Sequence, residues 1–202
     1  MNFRFLSLTV LGMRPPIPIP TSKAISPLIF EVCRTVVDNP NPAHVPVWLE
    51  AYSKDEDCHR NVAEKVRRDG GQVYSGWVIW EIPDWEIQLE FHSVWRDYQG
   101  RLTDVSPPLH GGPQVLFLPD PVRTYEGRNI STIHHPYDAS ERWREYVNIA
   151  DKMNRLIFPP GKSGKSHFVP MAEMAVLKTK LRDIFIKARQ SSRVAPSRSQ
   201  QM

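Results

Sequence analysis

The stretch 72–107 constrains the fold more than any other part of the 202-residue chain. It begins with QVYSGWVIWEI over 72–82, which is rich in the β-branched and aromatic residues that favour strands. Over 84–97, DWEIQLEFHSVWRD alternates apolar and polar side chains with the period of a strand that has two different faces. A tight turn at 98–100 precedes RLTDVSP over 101–107, a short third strand. Successive strands with tight turns predict an antiparallel meander.

A helix is predicted directly before this meander, in KDEDCHRNVAEKVRRDGG over 54–71. Acids crowd its first turn, where they suit the helix dipole, and Asp55 or Asp57 is the expected cap. The two glycines at its end are a typical helix stop. Cys58 and Val62 are four residues apart and therefore share a face, which we expect to pack on the protein.

Three other segments carry weaker patterns. The apolar run 26–37 is either a helix or a buried strand, because short apolar runs do not decide between the two. One amphipathic helix is predicted from Asp138 or Ser140 to Leu156, and another over 171–189. The predicted fold class is therefore α+β: an antiparallel meander of about three to five strands, with the Cys58 helix packed on it and additional C-terminal helices.

The length fits one domain. We expect a Pro-rich N-terminal arm over 1–25, a single globular domain over 26–189 and a basic, disordered tail over 190–202. The segment 108–135 is interrupted by proline and glycine and should be mostly irregular apart from the apolar QVLFLP. His134 and His135 are expected in a turn that leads into the next helix.

Composition excludes several classes of protein. Cys33 and Cys58 are the two cysteines, too few for a disulfide-rich secreted scaffold, and no apolar run approaches the ~20 residues of a membrane span. The net charge is only +4, so a solvated basic tail is favoured over a nucleic-acid partner. GKSGKS at 161–166 lacks the earlier glycine of a P-loop, because Pro159 stands there.

The apolar start MNFRFLSLTVLGM leaves secretion as an alternative location. A signal peptide needs a small-residue cleavage site, and RPPIPIPTSK follows instead. The predicted compartment is therefore the cytoplasm, and the sequence gives no indication of oligomeric state.

Cys58, His92 and Asp104 are the candidate catalytic residues. A thiol nucleophile needs a base close enough to keep it as thiolate, and that base needs a carboxylate to fix its tautomer. A helix N-terminus lowers the thiol pKa further. Because neighbouring strands lie about 5 Å apart, an imidazole and a carboxylate on adjacent strands can meet. The order of these residues predicts a Cys-His-Asp triad.

Four stretches share this order with a known family: DCHRNVAEKV, YSGWV, EFHSVW and GRLTDVSP, within about residues 55–107. A Cys that begins a helix, a Gly-bearing strand, a His on the next strand and an Asp after a Gly turn resemble the transglutaminase-like cysteine superfamily. That superfamily includes arylamine N-acetyltransferases and relatives of papain-type proteases. In a departure from its pattern, Asp57 stands directly before Cys58.

The resemblance implies that Cys58 is the nucleophile, His92 the base and Asp104 the orienting residue. It also implies a cysteine hydrolase or acyltransferase that needs no cofactor. The expected reaction is hydrolysis or transamidation of an amide, isopeptide or thioester bond, and the expected partner is a peptide, amide or acyl substrate. Trp77 and Trp80 are candidates to border the acyl pocket, although strand tryptophans more often lie in the core.

Two alternatives remain for the same scaffold. One is a non-catalytic binding module. The other is a zinc site, because several residues near the proposed triad are competent Zn²⁺ ligands: Cys58, Glu90, His92 and Asp104, with His59 and His110 nearby. No CxxC or HxxxH spacing accompanies them, so no metal is predicted in first place.

Overall fold

The computed structural model describes residues 19–20, 25–82, 85–108, 111–159 and 168–194. The expectations for the loop 161–166 and for His110 lie outside the described residues, as do those for most of the N-terminal arm and for 195–202.

Strands within the described ranges form one antiparallel, nearly closed sheet. They are β1 (Ile19–Pro20), β2 (Ala43–Pro46), β3 (Gln72–Ile82), β4 (Glu86–Arg96), β5 (Leu102–Thr103), β6 (Gln114–Pro119) and β7 (Ile133–Pro136). Their order is β2-β6-β3-β4-β5, with β1 beside β3 and β7 beside β4. A bridge between Val47 and Asp104 brings the end of β2 back to the β5 side, which nearly closes the sheet.

The α+β class and the β3–β4–β5 meander are confirmed. β3 and β4 pair along their whole length, with Gly76 opposite His92. The segment 108–135 is more regular than expected, because QVLFLP forms β6 and pairs with both β2 and β3. The prediction of a turn at His134 and His135 is wrong, since both lie on β7 and pair with the first half of β4.

Four helices complete the described part of the chain: α1 (Pro27–Arg34), α2 (Cys58–Asp69), α3 (Glu141–Ile157) and α4 (Met171–Val194). The ambiguous run 26–37 is thus helical at its centre, where the Ser26 hydroxyl caps α1 by accepting the N–H of Ile29. α4 continues to Val194, five residues beyond the end predicted for it. None of the described helices is long and apolar enough to cross a bilayer.

Three apolar clusters form the core of the described residues. One lies between α1 and the outer face of the sheet: Ile29, Val32, Cys33, Trp77, Ile79, Ile87, Leu89, Phe91, Leu116 and Leu118. The second consists of strand residues on the inner face: Val45, Val78, Trp80, Val94, Val115 and Phe117. The third joins α3 to α4: Tyr146, Ile149, Leu177, Leu181, Ile184 and Phe185. His92 shares the inner face with Val94, because side chains two apart on a strand point the same way.

Candidate active site

The site lies at a gap in one edge of β4. β3 pairs with one edge of β4 along its whole length. The other edge is divided between two short strands: β7 pairs with Glu86–Leu89, and β5 pairs with Trp95 and Arg96. In the described ranges no strand pairs with residues 90–94 along that edge. α2 begins there, and its N-terminus occupies the gap.

Two consecutive residues of α2 contact two consecutive residues of β4. Cys58 interacts with His92, which lowers the pKa of its thiol, and His59 Nδ1 lies 2.7 Å from Ser93 Oγ. Since successive side chains on a strand point to opposite faces, the start of α2 meets both faces of β4 at its edge. The helix stop expected at the glycines is present at Gly70, so α2 spans twelve residues from this contact.

His92 and Asp104 form a hydrogen-bonded pair. Nε2 of His92 lies 3.0 Å from Oδ2 of Asp104, whose side chain is only 1% exposed. The backbone of Asp104 is fixed by two bonds to the end of β2: its N–H donates to Pro46 O at 2.9 Å and its C=O accepts the N–H of Trp48 at 2.8 Å. Oδ1 accepts the N–H of Ser106 at 2.9 Å, so the carboxylate is held at both oxygens.

Asn61 connects this pair to α2. Its buried amide donates to Lys54 O at 2.8 Å and to Ser106 Oγ at 3.2 Å, while its Oδ1 accepts the N–H of Lys54 at 3.0 Å. The loop before the helix, the helix and the segment after Asp104 are therefore tied together. The sequence analysis missed Asn61, because an amide three residues after the cysteine has no local pattern that distinguishes it.

The electrostatics favour a thiolate at Cys58. Burial raises the pKa of the Cys58 thiol, but the charge of His92 and hydrogen bonds from His59 and His92 outweigh it and lower that pKa to about 5. Burial lowers the pKa of His92, yet the charges and hydrogen bonds of Asp104 and Cys58 raise it well above its ordinary value. Both shifts favour a thiolate–imidazolium pair. Cys33 is the opposite case, since burial in the α1 cluster raises its pKa to about 11.

The first turn of α2 leaves backbone donors beside the sulfur. Asp57 is the N-cap residue, but its side chain makes no capping hydrogen bond. The prediction of acidic residues in the first turn is wrong, because the helix begins after them, at Cys58. The C=O of Asp57 accepts the N–H groups of Arg60 and Asn61. The N–H groups of Cys58 and His59 lie in the first turn of the helix, where backbone N–H groups have no intrahelical acceptor. These N–H groups and the positive end of the helix dipole favour negative charge here.

The turn before the helix is strained. Glu56 has φ 57°, the left-handed conformation that non-glycine residues adopt rarely. Such a conformation persists only where the surrounding structure determines it, and it is found at functional sites more than elsewhere. Here it redirects the chain immediately before Asp57 and Cys58.

His59 and Tyr125 form a second side of the site. Their rings stack at 3.6 Å between centroids with an interplanar angle of 8°. Burial raises the pKa of Tyr125, and the charges of Cys58 and Asp57 raise it further. From the sequence, His59 was a candidate only as a metal ligand, and Tyr125 was not a candidate. The signal for His59 was its position next to Cys58, whereas Tyr125 had none.

Glu90 lies on the same face of β4 as His92. Its Oε2 accepts the indole N–H of Trp80 at 2.9 Å. Glu90 is exposed to solvent, but desolvation by the protein atoms around its carboxyl raises the pKa of that group, while the charge of His92 opposes the rise. Trp80 is itself buried, so its contribution to this part of the site is the hydrogen bond that it donates to Glu90.

Trp77 does not border the site. It is fully buried in the α1 cluster, and its indole N–H donates to Asp120 at 3.0 Å. Without exposed surface it has no means of contacting a substrate. The more common role of a strand tryptophan, packing in the core, applies to it.

The zinc alternative receives no support from the described residues. Among them, no group of three or more His, Cys, Asp and Glu side chains is arranged to hold a metal ion. His92 is bound to Asp104, and each oxygen of Asp104 already has a partner. Glu90 has its own partner in Trp80.

Comparison with known proteins gives no further guidance: no protein-family model, curated protein or solved structure matches the chain. The resemblance to the transglutaminase-like superfamily therefore rests on the residues quoted above. The chemistry of the site has to be argued from its geometry.

Proposed function

We propose that the protein is a cysteine-dependent acyl-transfer enzyme in which Cys58 is the nucleophile, His92 the base and Asp104 the orienting residue. One observation carries the proposal: the His92 imidazole is bound through Nε2 to Asp104 at 3.0 Å, and its interaction with Cys58 lowers the pKa of that thiol. With Nε2 engaged, Nδ1 is the nitrogen that serves the sulfur. Nucleophile, base and orienting group in one chain of hydrogen bonds are what thiol catalysis requires.

The reaction would proceed through an acyl-enzyme. The Cys58 thiolate attacks the carbonyl carbon of an amide, isopeptide or thioester, a C–S bond forms, and the carbonyl π electrons move to oxygen. The backbone N–H groups at the start of α2 stabilise this oxyanion. When the intermediate collapses, the C–N or C–S bond to the leaving group breaks, and His92 gives its proton to the departing amine or thiol. Water or an acceptor amine then attacks the thioester and returns a proton to His92.

Alkylation by iodoacetamide tests the state of the nucleophile. Cys58 should react well below pH 7, since its pKa is about 5, while Cys33 is spared by burial and by a pKa of about 11. His92→Ala should move the reactivity of Cys58 to higher pH, because the charge that holds the thiolate is lost. Alkylation measured by mass spectrometry from pH 4 to 10 gives both profiles. A wild-type rate that rises only near the ordinary thiol pKa of 9.0 would favour a non-catalytic binding module.

Trapping an acyl-enzyme tests the chemistry. Incubation with an activated acyl thioester should add one acyl group to the intact protein, located on Cys58 by peptide mapping. Cys58→Ala should abolish the adduct, and Cys33→Ala is the matched control that should retain it. An adduct of equal yield in Cys58→Ala would contradict the proposal.

A further inference from the structure

His59 lies next to Cys58 in the chain, and the proposed triad of Cys58, His92 and Asp104 gives it no role. Hydrogen bonding and charge from its ring contribute to the lowered pKa of the Cys58 thiol. It reaches the sulfur from the neighbouring position on α2, whereas His92 reaches it from β4. The sulfur therefore has imidazoles from two separate elements of the fold as partners.

Contacts with β4 and with the segment that follows β6 fix the ring of His59. Its Nδ1 lies 2.7 Å from the hydroxyl of Ser93, which is fully buried. The parallel stack on Tyr125 fixes the plane of the ring. Because Ser93 engages Nδ1, Nε2 is the nitrogen left for the sulfur. A side chain that only filled space would not need its plane and one of its nitrogens fixed in this way.

The two imidazoles differ in their partners. His92 is paired with the buried carboxylate of Asp104, whereas the partners of His59 are a hydroxyl and an aromatic ring. Asp104 favours the charged form of His92, so His92 is the residue that keeps the proton of the thiol. His59 has no such carboxylate beside it among the described residues and is suited to donate a hydrogen bond to the thiolate.

We propose that His59 is a second catalytic imidazole, which donates an Nε2–H hydrogen bond to the Cys58 thiolate while His92 holds the thiol proton. Ser93 and Tyr125 act as its positioning residues. The inference rests on the proposed function of Cys58. On attack, the sulfur gives up its negative charge and the hydrogen bond from His59 weakens. The N–H donor then becomes available to the oxyanion that forms next to the sulfur.

The test measures the pKa of Cys58 from the pH dependence of iodoacetamide alkylation, which requires no knowledge of the substrate. The informative variant is the double substitution His59→Phe with Ser93→Ala. It keeps a ring against Tyr125, removes both nitrogens and leaves no buried hydroxyl without a partner. We expect the pKa of Cys58 to rise by about one unit, so the thiolate fraction at pH 5 falls several-fold.

Three matched variants separate donation from packing. His59→Gln retains an N–H donor and should restore part of the shift. Tyr125→Phe retains the stack and should leave the pKa of Cys58 unchanged. Ser93→Ala alone frees the ring to rotate and should give a shift smaller than that of the double variant. Thermal melting of each variant checks that it is folded.

Failure of the inference is distinct from failure of the proposed function. If the double variant keeps the wild-type pKa of Cys58 while His92→Ala raises it, the triad stands and His59 has no part in it. If wild-type Cys58 itself titrates as an ordinary thiol, the proposed function fails. Should the double variant not fold, ¹⁵N NMR of the wild-type His59 ring decides: its Nε2 signal should follow the titration and the alkylation of Cys58, and an unresponsive signal would overturn the inference.

Discussion

At the scale of single residues, Asp104 shows how one side chain is prepared for its role by the backbone around it. Its N–H and C=O both bond to the end of β2, and this anchoring is independent of the carboxylate. Substitution of the side chain should therefore leave the residue in place. The effect of the carboxylate on His92 can then be measured apart from folding.

Asp104→Asn should leave the fold intact and slow alkylation of Cys58 at pH 6 by at least about tenfold, because a neutral amide no longer stabilises the His92 imidazolium. Asn can still accept the N–H of Ser106. Asp120→Asn is the matched control, since that buried carboxylate binds Trp77 away from the site. Its substitution should lower the melting temperature and leave the rate unchanged. Equal rates for Asp104→Asn and the wild type would contradict the assigned role.

The lowered pKa of Cys58 also predicts how stability depends on pH. The folded-state pKa is about 5 and the ordinary value is 9.0, so ionisation of Cys58 stabilises the fold fully above pH 9 and not below pH 5. The pKa of His92 is raised, so its contribution is complete below its ordinary value of 6.5 and is lost only as pH rises through the higher folded value.

We therefore expect the free energy of unfolding of wild type, relative to Cys58→Ala, to increase from pH 5 to pH 8. Cys58→Ala removes the titrating thiol and nothing else that ionises. Urea denaturation at several pH values measures the difference. Cys33→Ala serves as control and should show no such slope, because that thiol stays protonated throughout this range. A difference that does not vary with pH would show that the thiol titrates normally.

At the scale of elements, the approach of β3 to β6 depends on Gly76. A Cβ atom at this position would lie 2.2 Å from the carbonyl oxygen of Leu118 and 2.5 Å from the ring of Phe117. The backbone of β6 has no room to move away, because β2 pairs with its other edge. Gly76 also pairs with His92, so a displacement of β3 here reaches the candidate site.

Gly76→Ala should destabilise the protein by roughly 1–3 kcal/mol, the usual range for a group forced into a packed interior. Ser75→Ala is the neighbouring control on the same strand and should cost much less. The measurement is the free energy of unfolding in urea. A Gly76→Ala variant as stable as wild type would show that β3 and β6 separate easily.

At the scale of the whole molecule, a buried polar cluster attaches the C-terminal helices to the sheet. Glu86 is fully buried on β4 and accepts three hydrogen bonds: from Gln88 at 2.6 Å, from His134 on β7 at 3.0 Å and from Trp143 on α3 at 3.1 Å. Burial and the charge of Glu86 raise the pKa of Tyr146 on α3 well above its ordinary value. One carboxylate thus joins two strands and a helix.

Glu86→Ala should cost about 3–5 kcal/mol, because it leaves several buried donors without an acceptor. Hydrogen exchange should show the loss mainly in α3 and α4, whereas protection in α2 should persist. Glu145→Ala, on the exposed side of α3, is the control and should be close to neutral. If exchange rose equally in α2 and α3, the cluster would not be specific to the attachment of the C-terminal helices.

The sequence by itself determined the elements that depend on local pattern. β3 and β4 followed from alternation and β-branched residues, the turn at 98–100 followed from its glycine, and α2 ended where its glycines stand. Helices with capping serines and a regular apolar face, such as α3, were predicted to within a few residues. These sequence patterns can be recognised because the interactions that produce them join residues close in the chain. The candidates Cys58, His92 and Asp104 could be named because each lies on one of these predicted elements, in the order that a Cys-His-Asp triad requires.

Only the tertiary structure decided the contacts that join distant parts of the chain. Glu86 and Gln88 alternate like exposed residues, yet both are buried, because β7 and α3 cover them. The bridge of Asp104 to Val47, the bond of His59 to Ser93 and the stack of His59 on Tyr125 link segments far apart in sequence. Their formation depends on the register of the whole sheet and on a gap in one edge of β4. No local pattern encodes these features, because their free energy arises only when the sheet has closed and α2 has packed at its edge.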